Sequence, residues 1–328
     1  MSPRPKALFA MREEHLALLF PAPLLRRLDT LADIDVTLVA EHFDDPRLDL
    51  SETEILITGW GCPTLDEAVL ARAPRLRGVL HAAGSVKSLV TPACWERGLL
   101  ISSAAEANAV PVAEYTIAAV LMAGKGIFAL NERYQRERTF TLAEIQPSIG
   151  NNGRTVGIVG ASRIGRKVID LLSPYDLDLC VYDPYTLVPG VRQVSLEELL
   201  RTSDIVSLHA PATPETTHML DRERLALLQD GAVLINTARG SLVDTDALIA
   251  ELKSGRLSAV LDVTEPEPLP ADSPLFDLPN AFLTPHIAGS HGNELARMGT
   301  AVVDELERLI AGSPLVYQVT HDDLERAA

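Results

Sequence analysis

Thr155-Val-Gly-Ile-Val-Gly-Ala-Ser-Arg-Ile-Gly165 reads as a strand, a glycine turn and the start of a helix. An apolar, β-rich run ends at Gly160, and a helical stretch opens near Arg163. The spacing Gly160-x-Ser162-x-x-Gly165 is that of a dinucleotide-binding turn with serine at its middle glycine. In such a turn the first glycine allows the bend, and the third lets the helix pack on the strand. The middle one admits a pyrophosphate. Ser162 departs from that pattern but keeps a small side chain and an N–H at a helix start, where anions bind. Asp183 closes the next strand, 23 residues after Gly160. A carboxylate there accepts hydrogen bonds from ribose hydroxyls and repels a 2′-phosphate, so NAD is expected over NADP. The competing reading of Asp183 is a turn-former before Pro184.

Working outward, strands are expected at 155–160, 178–183, 204–209, 232–237, 258–263 and 281–284. Helices are expected at 163–172, 196–201, 221–228 and 244–254. Six strands with crossover helices make a complete doubly wound sheet. Upstream, strands at 6–11, 34–40, 54–60, 77–82 and 99–103 alternate with helical stretches and predict a second parallel sheet covered on both faces. Residues 109–136 read as one long helix, and 139–153 as a turn-rich connector or arm. An amphipathic helix follows at 293–311, with Leu295, Met298, Val302, Leu306 and Leu309 on one stripe, then a strand-like piece at 315–319. The class is α/β, with two doubly wound parallel-sheet domains: 1–107 plus 291–328, and 108–290.

The chain has 328 residues, 47% apolar and 23% charged, in the range of a globular enzyme. Its net charge of −16 argues against nucleic acid as a partner. Cys62, Cys94 and Cys180 are scattered without metal-site spacing, so free thiols in a reducing cytoplasm and no bound metal are expected. No signal peptide is read, and no apolar run is read as approaching the ~20 residues of a membrane span.

Three polar residues lie just past strand ends, where ligands gather in open α/β sheets: Arg239, Glu267 and His286. Arginine can clamp a carboxylate with two parallel hydrogen bonds. Histidine exchanges protons near neutral pH, and a neighbouring carboxylate orients its ring. Together they suit proton transfer to a carbonyl oxygen beside a bound carboxylic acid. Each has a bland reading as well, such as a turn cation or a satisfied loop histidine. Glu265 competes with Glu267 for the histidine. His81 reads equally as a packing or hydrogen-bonding histidine and as a substrate contact, His291 as helix entry, and His209 as a cofactor-loop or structural residue. His15 reads as surface. Trp60-Gly-Cys-Pro63 either lines a cleft or caps the domain.

From Thr155 to Ser290 the chain resembles the D-isomer-specific 2-hydroxyacid dehydrogenases. The resemblance rests on Leu208-His-Ala-Pro-Ala-Thr-Pro-Glu-Thr-Thr-His218, Asn236-Thr-Ala-Arg-Gly240, Gly255-Arg-Leu-Ser-Ala-Val-Leu-Asp-Val263 and Pro285-His-Ile-Ala-Gly289. It continues upstream in Ala105-Glu-Ala-Asn-Ala-Val-Pro-Val-Ala-Glu114, similar to the family's hinge. It implies a Rossmann cofactor domain inserted into a discontinuous flavodoxin-like substrate domain. It also implies hydride transfer between NAD and C2 of a small 2-oxo or 2-hydroxy acid. Arg239 would bind the substrate carboxylate and carbonyl, His286 would be the general acid or base, and Glu267 its partner. Asp262 would hold the nicotinamide carboxamide. Backbone at Arg163 and Ile164 would meet the pyrophosphate. The segments around His209, Ala210, Pro211 and Thr216, the Thr237-Ala238-Arg239 turn, and Gly289 would line the cofactor. Ala83, Gly84, Ser85 and Val86 would hold the substrate carboxylate through N–H groups. Lys87 and Ser88 depart from the family after that valine, and Thr264 replaces a common aromatic.

The resemblance also implies two domains closing on the substrate. A homodimer is expected through residues 121–150, the part of the cofactor domain through which the family pairs. Two rival activities are weighed. One is a phosphite-type dehydrogenase on the same fold. The other is an NADH-sensing, corepressor-like interaction protein.

Overall fold

The computed structural model describes residues 4–139 and 149–326. Its contacts divide the chain into two compact units, Met1–Asn108 with Ser290–Ala327, and Ala109–Gly289.

The first unit is built on five parallel strands: β1 (Lys6–Ala10), β2 (Asp33–Val39), β3 (Ile55–Thr58), β4 (Gly78–His81) and β5 (Leu100–Ser103). Their order is β2-β1-β3-β4-β5, the flavodoxin-like arrangement. Every residue of β3 and β4 is buried, as expected of interior strands with both faces covered. The helix Leu295–Ile310 buries the expected stripe, Leu295, Met298, Val302, Leu306 and Leu309. It shares a core with Phe9, Leu19, Leu28 and Leu80. The strand expected at 315–319 is only a single antiparallel bridge, Ser102 to Gln318. Buried Glu305 explains why: its carboxylate accepts the N–H groups of Val316 and Tyr317, taking donors that a ladder would need.

The second unit is a seven-stranded parallel sheet: β6 (Arg154–Val159), β7 (Leu177–Tyr182), β8 (Arg192–Gln193), β9 (Ile205–Leu208), β10 (Val233–Asn236), β11 (Ser258–Leu261) and β12 (Ala281–Leu283). The order is β12-β11-β10-β9-β6-β7-β8. Read from β8, this is the doubly wound dinucleotide order with β12 added at the far edge, and the winding reverses between β6 and β9. β8 is absent from the strands expected above because two residues carry no periodicity.

The expected helix 109–136 is two helices, Ala105–Gly124 and Ile127–Glu137. Gly126 breaks it, with a left-handed φ of 62° that glycine adopts without a Cβ clash. Ala105–Gly124 also corrects the membrane argument. By length and composition it is apolar enough to cross a bilayer. Half of that apolar window is buried, however, and Ala113, Ala119, Val120 and Ala123 share a core with Val156 and Ile158 of β6. It reads as the core helix of an α/β unit. Most of the expected arm, 140–148, lies outside the described residues. Its visible end, Gly150, donates its N–H to Gly124 O.

Candidate active site

The C-terminal edge of the seven-stranded sheet is shaped first by what two glycines permit. Gly160 turns at φ 92°, and a Cβ there would lie 2.7 Å from the Ala210 nitrogen and the His209 carbonyl carbon. A Cβ on Gly165 would lie 2.0 Å from Gly160 O. The turn and the close helix-to-strand approach therefore both require glycine. The helix Arg163–Leu172 starts directly after the turn, and its first N–H groups have no partner within the helix. Ser162 occupies the cap position without a side-chain capping bond. These are the features of a pyrophosphate cradle, with Arg163 and Ile164 at its mouth.

Asp183 directly follows β7. One oxygen accepts Ala161 N–H at 2.7 Å, from within the glycine turn, and the other accepts Tyr185 and Thr186 N–H at 2.9 Å each. The carboxylate caps its own turn and stands beside the cradle. His209 is buried, with Nε2 2.9 Å from Ser207 Oγ, and burial pushes its pKa down to about 3. It is neutral and directly precedes Ala210. Thr216 closes the following loop by donating to Pro211 O at 2.6 Å. Thr237 Oγ1 lies 3.0 Å from Thr116 Oγ1, and Asn236 braces the turn through Ala238 N–H and Arg239 O.

Arg239, Glu267 and His286 lie on the loops that follow β10, β11 and β12. Arg239 follows β10 and donates to Ala238 O at 2.6 Å. Burial pushes its guanidinium pKa down, and nearby Glu267 opposes that shift. A partly buried guanidinium fork can clamp an anion with two parallel hydrogen bonds, and Glu267 offsets part of its charge. His286 follows β12 with a left-handed φ of 55°. Its Nδ1 meets Glu267 Oε1 at 2.5 Å. With Nδ1 so engaged, Nε2 is the nitrogen left to exchange a proton.

Asp262 explains how a non-glycine residue holds that backbone. Its carboxylate, 2% exposed, accepts Thr284 Oγ1–H at 2.6 Å, Ile287 N–H at 2.8 Å and Ala288 N–H at 2.9 Å. Its carbonyl accepts His286 N–H at 2.9 Å. Because the Thr284 hydroxyl donates to Asp262, the Tyr115 hydroxyl 2.7 Å away donates to Thr284. Burial raises the Tyr115 pKa, which keeps this donor protonated. Three of roughly four carboxylate acceptor sites are thus spent on the His286 turn. Asp262 is its mount, and about one acceptor site remains. Neither Tyr115 nor Thr284 was singled out from sequence. Thr284 could have been, from its place two residues before His286, whereas Tyr115 lies 169 residues away.

Glu265 does not compete for His286, because its Oε2 meets His218 Nε2 at 3.0 Å. Gly289 closes the His286 segment. In the first unit, Ala83, Gly84, Ser85 and Val86 form the loop after β4, and Ala83 O accepts Ala104 N–H at 3.1 Å. His81 is the last residue of β4. It is buried, meets Thr58 Oγ1 at 2.9 Å and bonds the Ser85 backbone. Burial pushes its pKa down to about 4. His15, expected on the surface, is partly buried and stands edge-on to Trp60 at 5.5 Å. His291 caps the turn Gly292–Glu294, the helix-entry role expected.

Residues 117–288, more than half the chain, match the family described as D-isomer specific 2-hydroxyacid dehydrogenase, NAD binding domain. The chain is 36% identical over 259 residues to a D-3-phosphoglycerate dehydrogenase of Mycobacterium bovis, covering 76% of this chain and 48% of that protein. It therefore spans about half the length of the curated relatives of that name. It is 35% identical over 251 residues to a glyoxylate reductase of Korarchaeum cryptofilum, covering 74% of this chain and 75% of that one. The crystal structure of a phosphoglycerate oxidoreductase from Rhizobium etli superposes with a TM-score of 0.82 at 26% identity, over 97% of this chain and 99% of that one. By its sequence match and its two parallel-sheet units, this chain belongs to the D-isomer specific 2-hydroxyacid dehydrogenase family.

Proposed function

We propose that this protein transfers a hydride between NAD(H) and C2 of a small D-2-hydroxy acid or its 2-oxo acid. The observation that carries this reading is the contact of Glu267 with His286 Nδ1 beside the partly buried cation of Arg239. The glycine turn at Gly160 and Gly165 fits a dinucleotide cradle, because a Cβ at either position would strike backbone and open the turn. When bound, the nicotinamide supplies the hydride acceptor or donor. The chain's own residues do the rest. Arg239 clamps the carboxylate and turns the carbonyl carbon to a defined face. His286 Nε2 delivers a proton to the carbonyl oxygen in reduction and removes it in oxidation. Glu267 keeps the ring oriented and balances its charge. Asp183 places a negative charge where a 2′-phosphate would sit, which favours NAD.

The reading extends to a homodimer in a reducing cytoplasm. Ile127, Leu130 and Tyr134 are exposed along one helix with no buried residue, and the three thiols are unpaired. A dimer should sediment at twice the 35.5 kDa chain mass. The intact Arg239, Glu267 and His286 set favours catalysis over a purely sensing role. The test is a panel of glyoxylate, hydroxypyruvate, pyruvate and phenylpyruvate with NADH and NADPH. D-3-phosphoglycerate and phosphite are assayed with NAD. No turnover of any 2-oxo or 2-hydroxy acid refutes the proposal, and turnover of phosphite alone replaces it.

A further inference from the structure

Glu265 and Glu267 stand two residues apart on the loop after β11, and the fold sends each to a different histidine. Glu267 meets His286 at 2.5 Å, and Glu265 meets His218 at 3.0 Å. Among the described residues three non-glycines have a positive φ: Arg138, His218 and His286. Two of the three are these histidines, at 49° and 55°. Left-handed backbone is unfavourable for a residue with a Cβ, and it persists where the surroundings enforce it, commonly at functional sites.

His218 is held from a second side. Its N–H donates to Ser241 O at 2.7 Å, and Ser241 lies two residues after Arg239. Between them, Gly240 presses on the carboxylate-bearing loop, where a Cβ would lie 2.0 Å from Thr264 O. Thr245 Oγ1 donates to Glu265 O at 2.8 Å. The segment from Arg239 to Thr245 therefore touches the His218 loop on one side and the Thr264–Glu265 backbone on the other. The His218–Glu265 contact closes the ring. One member of the ring carries Arg239, one carries Glu267, and the third brings His218.

Both partners of the second pair are half exposed, so the contact adds little net stability. Its effect is geometric: it removes freedom from Glu265 and so from Glu267. We propose that His218 and Glu265 are positioning residues that hold Glu267 on His286 Nδ1, leaving Nε2 to the proton transfer. The consequence for turnover rests on the function proposed above, while the positioning itself does not.

The test uses the full chain carrying Glu265→Ala, His218→Ala, both together, or Glu265→Gln. Long-range proton–nitrogen spectra of the imidazoles at alkaline pH report which ring nitrogen of His286 bears hydrogen, with His286→Gln identifying its signals. In the unmodified protein Nδ1 should bear it, because the hydrogen bond to Glu267 selects that tautomer. Each alanine variant should move His286 toward the Nε2–H form. Each should also lower kcat about tenfold, below the ~10²-fold that a 1 Å misplacement can cost. NADH affinity and Tm should stay near wild type. Glu265→Gln still accepts from His218 and should keep both tautomer and kcat. The double variant should be no worse than either single one. An unchanged His286 tautomer in both alanine variants overturns the proposal. So does an equal loss in Glu265→Gln and Glu265→Ala, or additive losses in the double variant. Should an alanine variant fail to fold, Glu265→Ser and His218→Asn break the same contact and decide it. If the unmodified protein reduces no 2-oxo acid, the proposed function fails, and the tautomer measurement alone still decides this inference.

Discussion

Adding one methyl group at Gly240 should separate the segments that carry Arg239 and Glu267. An ideal Cβ there falls 2.0 Å from Thr264 O, 2.1 Å from Thr264 C and 2.7 Å from Glu265 N. Real Cβ contacts stay beyond 3.0 Å, so the shortfall is at least 3.0 − 2.0 = 1.0 Å. All three obstacles are backbone atoms, and none can swing aside as a side chain would. The Gly240 φ lies outside the left-handed range, so the penalty is wholly steric. The displacement must fall between Arg239, one residue before Gly240, and Glu267, three residues after Thr264. A misplacement of about 1 Å at a reacting group can cost ~10²-fold in rate. Overpacking costs roughly 1–3 kcal/mol of stability. Gly240→Ala should therefore lower kcat for 2-oxo acid reduction about a hundredfold while the protein still folds and binds NADH, because the Gly160 cradle lies on other strands. Turnover, NADH fluorescence titration and thermal melting measure the three quantities. Gly231→Ala is the control. Its Cβ meets nothing within 4 Å, but its φ is 84°, so it should lose roughly 1–2 kcal/mol of stability and keep its kcat. Retention of kcat within about threefold by folded Gly240→Ala would refute the claim that this contact sets the spacing of Arg239 and Glu267.

His286→Gln should lower kcat by ~10²–10⁴-fold with NADH still bound, since a general acid or base typically contributes that much. Near-normal turnover in that variant removes His286 from the chemistry. Arg239→Lys keeps the charge but loses the two-pronged fork, so KM for the oxo acid should rise and kcat should fall. Wild-type constants would place the anion elsewhere. Asp183→Ser should narrow the preference for NADH over NADPH, and an unchanged ratio of kcat/KM would show that another group reads the ribose. Stability should also decline below neutral pH. His81 and His209 have native pKa values lowered from 6.5 to about 4 and about 3. Below pH 6.5 the unfolded chain takes up protons that the folded one refuses. The stabilisation is therefore full above 6.5 and is lost as pH falls toward 4 and 3, at up to about 1.4 kcal/mol per pH unit for each histidine. Urea unfolding at stepped pH checks this, and His81→Gln should flatten the slope.

The α/β class, the two parallel sheets, the glycine turn, and Arg239 and His286 at strand ends were all legible in local sequence. These features depend on near neighbours: apolar runs of strand length, glycines at a fixed spacing, and a polar residue one step past a buried run. Local signals failed where the deciding partner was distant or the element too short. The strand Arg192–Gln193 had two residues in which to show a period, and the helix expected over 109–136 parts at Gly126. The choice between Glu265 and Glu267 was open on composition alone, since both are glutamates before prolines. The tertiary structure decided it by bringing His218 to one and His286 to the other. Asp262 was legible as a polar residue at a strand end. That it carries the His286 turn, with Thr284 and Tyr115 behind it, follows only from β11 and β12 pairing in register while a helix from the start of the unit reaches Thr284. Sequence spacing sets which residues reach the edge of a sheet, whereas strand order sets which of them meet there.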